Sequence, residues 1–67
     1  MTLTINGKGI EFSQSSLTIS GLLKQLGIEP ARVAVEVNLA IVKKSAYEKQ
    51  VLRSGDTVEI VNFVGGG

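Results

Sequence analysis

Four positions, Ile19, Leu22, Leu23 and Leu26, restrict the fold of this chain more than any others. Their i, i+3, i+4, i+7 spacing places four large apolar side chains on one stripe of a short helix, the pattern of a helix packed on a core rather than of a cofactor box. Thr18 stands where an N-cap belongs. Gly27 supplies the left-handed residue that ends helices, Ile28 can fold apolar contact back over the last turn, and Pro30 prevents resumption. Gly21 weakens the helix by up to about 1 kcal/mol against alanine. Such a helix depends on docking its stripe against something else, and the rest of the sequence says that this is a sheet.

Before the helix, Thr2-Leu3-Thr4-Ile5 alternates polar and apolar, Asn6-Gly7 is a strong hairpin signal, and Ile10-Glu11-Phe12 resumes the alternation. Leu3, Ile5, Ile10 and Phe12 are expected on the buried face, with Thr4 and Glu11 outward. Gln14-Ser15-Ser16 reads as a connection. After the helix, Val33, Val35 and Val37 point one way, and Ala34, Glu36 and Asn38 the other. A turn near Asn38-Leu39-Ala40 leads into Ile41-Val42-Lys43, a short edge strand on which Lys43 and Lys44 discourage edge-to-edge pairing. Residues 45–49 show no clear period and read as a loop with one helical turn, Tyr47 packing partly down and Val51-Leu52 returning to the core. Arg53-Ser54-Gly55-Asp56 is a turn by composition.

Thr57 to Val64 is the longest predicted strand. Val58 and Ile60 keep the core face, yet Val61 and Phe63 are apolar on the other, as in a strand central to its sheet. Either neighbouring side chains cover this pair, or it forms a small exposed apolar patch for a partner to grip. A crossover helix between the hairpin and later strands requires at least one parallel pairing. The expected architecture is α+β: a β-grasp, or ubiquitin-like, mixed sheet of about five strands with one helix packed on one face. It should occupy residues 1–64, followed by a flexible glycine tail at 65–67.

Composition narrows the chemistry. The 67 residues contain no cysteine and no histidine, so the chain offers no disulfide, no thiolate nucleophile and none of the commonest metal ligand. No metal site and no bound cofactor are expected. With 43% hydrophobic and 19% charged residues the chain belongs with ordinary globular domains, and a monomer is expected when free. A net charge of +1 is far from the footprint of a nucleic-acid binder. Arg32, Lys43, Lys44, Lys49 and Arg53 fall in the second half and read as a solvated surface. No stretch is long and apolar enough to span a bilayer, the N-terminus lacks the pattern of a secretion signal, and a cytoplasmic address is expected.

The remaining feature is the end, Phe63-Val64-Gly65-Gly66-Gly67. Glycine is about 7% of average sequence, so three in succession at a chosen end are a rare chance event. Without a Cβ, the backbone can thread a narrow slot. Val64 to Gly67 fully extended reaches roughly 13 Å, far enough to enter another protein's active site while the body stays outside. A carboxylate there is ionised at neutral pH and a poor electrophile, so it needs activation. The chain has no phosphate-binding loop between strand and helix and reads as a substrate or carrier, its carboxyl group activated as an acyl-adenylate from ATP.

The chain resembles the ThiS family, ubiquitin-like sulfur carriers of thiamine biosynthesis. The likeness lies in Val33-Ala34-Val35 with Val37-Asn38, in Ser45-Ala46-Tyr47, in Leu52 with Gly55-Asp56-Thr57-Val58-Glu59-Ile60, and in the closing Phe63-Val64-Gly65-Gly66-Gly67. It departs from many relatives at Leu39, where they have Gly, and at Lys44, where they have Arg. The resemblance implies that the Gly67 carboxylate is adenylated by a ThiF-type enzyme, using ATP, and converted to a thiocarboxylate with sulfur from a cysteine desulfurase route. Thiazole synthase, of ThiG type, then receives the sulfur. Gly67 is thus the expected site of modification, Gly66 its required neighbour, Gly65 and Val64 part of the threaded tail, and Val61 and Phe63 the expected partner contacts; no residue is expected to be catalytic. Three alternatives share the fold: the small subunit of molybdopterin synthase, with the same thiocarboxylate chemistry, a ubiquitin-like protein modifier, and a plain interaction module with an inert tail.

Overall fold

The computed structural model describes residues 1–63. Two strands, β1 (Thr2–Ile5) and β2 (Lys8–Glu11), form the expected antiparallel hairpin around Asn6-Gly7, both of which adopt positive φ, 49° and 85°. Asparagine tolerates that region and glycine enters it freely, which is why this dipeptide closes tight hairpins. Leu3, Ile5 and Phe12 are buried, and Ile10 packs partly against them.

Helix α1 (Ile19–Leu26) starts and stops where the sequence says. The Thr18 hydroxyl accepts from Gly21 N–H at 3.0 Å, satisfying one of the first-turn donors. At the other end Gly27, φ 71°, donates to Lys24 O at 3.1 Å and Ile28 donates to Leu23 O at 2.9 Å, the paired bonds of a Schellman stop. Ile19, Leu22 and Leu23 are fully buried, and Leu26 sits at the margin. Pro30 opens a turn of 3-10 helix at Pro30–Arg32, and β4 (Val33–Val37) follows it directly.

From β4 the chain reverses through Asn38 and Leu39, φ 51° and 73°, into β5 (Ala40–Val42). That two-residue turn brings β5 forward by one residue against the expected Ile41-Val42-Lys43. The helical turn expected within residues 45–49 is a 3-10 turn that starts one residue earlier, at Lys44–Ala46. Tyr47 goes further into the core than expected, 3% exposed; burial pushes its hydroxyl pKa up, and the hydroxyl donates to Val33 O at 3.4 Å.

One element is unexpected. Leu17–Thr18 (β3) pairs antiparallel with Val51–Leu52 (β6) in a second, two-stranded sheet. The expected return of Val51-Leu52 to the core holds for Leu52 only. Leu52 is fully buried, whereas Val51 points outward and is exposed.

The last strand, β7 (Thr57–Asn62), lies at the centre of the main sheet, whose order is β2-β1-β7-β4-β5. It runs parallel to β1 and antiparallel to β4. One mixed sheet of five strands with α1 packed on one face is the expected β-grasp. Its single core joins Ile19, Leu22 and Leu23 to Leu3, Val33, Val35, Leu52, Val58 and Ile60. None of the helices among the described residues is long and apolar enough to cross a membrane, and no group of acidic residues there could hold a metal ion.

Candidate functional site: the end of the central strand

The candidate site begins where β7 outruns one of its two neighbours, β1. On one side β4 accompanies β7 throughout, from Val37 opposite Val58 to Val33 opposite Asn62. On the other side β1 pairs only through Thr4 with Thr57 and Ile5 with Val58. The hairpin turn then carries β1 away, and the Asn6 side chain takes the next rung: its Oδ1 accepts from Ile60 N–H at 2.7 Å and its Nδ2 donates to Ile60 O at 3.1 Å. An amide side chain offers the same donor and acceptor as a peptide group, so it can extend a ladder after the backbone has turned. Past Ile60, β7 has β4 alone beside it.

Strand alternation then decides what this stretch shows. Val58 and Ile60 face the helix, while Glu59, Val61 and Phe63 face the opposite side. Val61 is 59% exposed and Phe63 52%. Of the two readings of this pair, the exposed patch is the one the structure shows. Ala34 lies opposite Val61, and one rung on, Glu36 lies between Glu59 and the exposed Ile41. The face next to the tail is therefore an apolar strip bordered by an acidic rung, able to present bulk to an apolar hollow and charge to a basic rim.

Phe63 is the last described residue. Its N–H donates to Arg32 O at 2.8 Å, continuing the β4 ladder one step past the strand. The ammonium of Lys44 lies 5.1 Å from the centre of its ring, a cation–π contact of about 0.5–1 kcal/mol at an exposed position. Lys44 is thus not the free edge charge expected beside Lys43. Nothing local in the sequence gives this away, because the contact joins the turn after β5 to the residue after β7. Val64, Gly65, Gly66 and Gly67, the other residues singled out from the sequence, lie outside the described residues.

Comparison with known proteins places these residues in context. The family model described as the ThiS family matches residues 3–67. The chain is 49% identical over its whole length to a thiazole synthase of Paramagnetospirillum magneticum, but spans only 20% of that protein. It is 40% identical to the sulfur carrier protein ThiS of Bacillus subtilis over 65 residues, 97% of this chain and 98% of that one. The crystal structure of the thiamine biosynthesis protein ThiS from Geobacter metallireducens has the same fold, with a TM-score of 0.89 at 35% identity and both chains covered in full. A family match extending to the final glycine, and a likeness covering nearly all of two small proteins, show that this chain belongs to the ThiS family.

Proposed function

We propose that this chain is a sulfur carrier for thiazole formation in thiamine biosynthesis, a co-substrate of other enzymes rather than an enzyme itself. The observation that carries the reading is the exposed pair Val61 and Phe63, set on the end of the central strand that β4 alone accompanies and followed, after Val64, by the three terminal glycines. Apolar side chains exposed singly are ordinary, whereas an exposed pair on one sheet face beside a glycine tail supports an interaction surface. These side chains dock the carrier on a ThiF-type adenylating enzyme while residues 64–67 reach its active site. The docking energy offsets the cost of ordering the tail, about 1–2 kcal/mol per residue and more for glycine.

The chemistry resides in the main chain. The Gly67 carboxylate attacks the α-phosphate of ATP, giving the acyl-adenylate and releasing pyrophosphate. A persulfide from a cysteine desulfurase route then attacks the carbonyl carbon through its outer sulfur, forming the C–S bond as AMP departs. A thiol of the sulfur-transfer protein cleaves the S–S bond of the acyl disulfide, freeing the thiocarboxylate and ending in a disulfide itself. The resulting thiocarboxylate supplies sulfur to thiazole synthase. The likeness to a thiazole synthase five times the chain's length supports that acceptor, since a domain like this one forms part of that protein.

Intact-mass spectrometry tests the reading. After incubation with a ThiF-type enzyme, ATP and the sulfur source, the wild-type chain should gain the mass of one oxygen replaced by sulfur. Deleting Gly67, or adding one residue after it, should abolish the gain while leaving the melting temperature unchanged, because the reacting carbonyl is displaced from a body that does not depend on it. Sulfur loading of either variant would contradict the proposal.

A further inference from the structure

β5 ends at Val42, and continuing its register along β4 puts position 44 opposite Val33. The backbone has left the ladder there for the 3-10 turn at Lys44–Ala46. The side chain fills the rung. Lys44 Nζ donates to Val33 O at 3.0 Å, to Pro30 O at 3.2 Å and to Ala31 O at 3.4 Å, so three acceptors meet the three N–H bonds of an ammonium. The same nitrogen stands over the Phe63 ring, and Phe63 N–H is bonded to Arg32 O within that carbonyl-bearing segment. The residue ahead of the tail is held at its ring by Lys44 and at its backbone by the loop that Lys44 gathers.

We propose that Lys44 is a positioning residue for the C-terminal tail: by fixing residues 30–33 and the Phe63 ring together, it sets the point from which the tail enters the adenylating active site. Its effect on the reaction rests on the carrier reading above, whereas the clamp on Phe63 does not. A clamp of this kind acts on rate. Misplacing a reacting group by about 1 Å can cost on the order of 100-fold, while loss of a simple docking contact raises KM and leaves kcat alone.

Lys44→Met keeps the aliphatic stem and removes the charge and donors, and Lys44→Arg restores a cation that can stack on the ring and donate to several carbonyls. Nitrogen-15 relaxation of the free protein reads the clamp directly. The Phe63 amide order parameter should fall below about 0.6 in Lys44→Met, with Val58 and Ile60 unchanged and recovery in Lys44→Arg. An unchanged Phe63 would overturn the proposal. With the adenylating enzyme, Lys44→Met should lower kcat on the order of ten-fold with little change in KM, and Lys44→Arg should recover most of it. An unchanged kcat, or a change in KM alone, would overturn the positioning role. Phe63→Leu removes the ring without touching the carbonyl network; it should lower kcat as Lys44→Met does, in addition to the rise in KM expected from the docking contact it weakens, and its kcat covers the case in which Lys44→Met does not fold. Should relaxation show the clamp while the wild-type chain accepts no adenylate, the carrier reading fails and the clamp stands.

Discussion

The two halves of β7 share one strand and one partner in β4, yet they are held very differently. From Thr57 to Ile60 the strand is gripped on both sides. Asn38 Oδ1 accepts from Thr57 N–H at 3.0 Å and Asn38 N–H donates to Thr57 O at 2.8 Å, while Asn6 N–H donates to Val58 O at 2.9 Å and the Asn6 amide brackets Ile60. From Val61 to Phe63 the chain has β4, and then Arg32 opposite Phe63, on one side only, with exposed apolar side chains on its outer face. The difference arises because β1 is short. A hairpin that turns after Ile5 leaves the last rungs of its central neighbour uncovered, so one strand can be anchored at its start and presented at its end. Both asparagines that secure the start are turn residues with positive φ, each closing its own hairpin and bonding β7 as well.

Substitutions at the two halves should therefore separate stability from partner recognition. The largest stability effect is expected for Asn6→Ala, which strips Ile60 of two hydrogen bonds and forces alanine into a left-handed conformation. The loss should be about 2 kcal/mol or more, on the order of 10 °C in melting temperature for a domain of this size, read by thermal denaturation. A shift of only a degree or so would mean that the start of β7 is not anchored by its turns.

Leu39→Gly should move stability the other way. Leu39 is 87% exposed and holds φ 73°, so its side chain gains almost no burial while its backbone bears the strain of that region. Glycine relieves the strain, and denaturant titration should show a gain of up to about 1 kcal/mol. A loss of stability would show that Leu39 makes contacts worth more than the strain.

The smallest effect is expected at Glu11, far from either half. The Thr2 hydroxyl, and after it the Met1 ammonium, favour the carboxylate and lower its pKa in the folded state. The associated stability is present above the unfolded-state pKa and is lost as pH falls through the lowered folded value. Between about pH 6 and about pH 3, near the ordinary carboxylate range, the wild type should lose slightly more melting temperature than Thr2→Val. Equal losses would remove this pair from the acid response.

How much of this could be read in the sequence depended on the range of each interaction. The stripe at Ile19, Leu22, Leu23 and Leu26, the Thr18 cap, the Gly27 stop and the two-faced Val58–Phe63 pattern are local or periodic, and each was legible. The β3–β6 pair was not, because two-residue strands carry no period and Thr18 already serves as the helix cap. Tyr47 looked half-buried because its segment has no repeat, whereas its depth is set by contacts with elements distant in sequence. The Asn6–Ile60 rung spans 54 positions and Lys44 reaches back to the segment before β4, so neither leaves a short-range mark. Exposure of Val61 and Phe63 stayed undecided in the sequence for a similar reason: the alternation put them on the outer face, but only the packing of α1 on the opposite face, against Val58 and Ile60, left them bare.

The central claim is that the start of β7 maintains the fold and its end meets the partner. Adenylation kinetics of the Val61→Ser/Phe63→Ser double variant, compared with wild type and with melting temperatures measured in parallel, test it most directly. Both changes lie on exposed positions, so melting should shift by no more than a few degrees, while KM for the carrier should rise on the order of ten-fold or more as two apolar contacts are lost. An unchanged KM in a folded double variant would contradict the account.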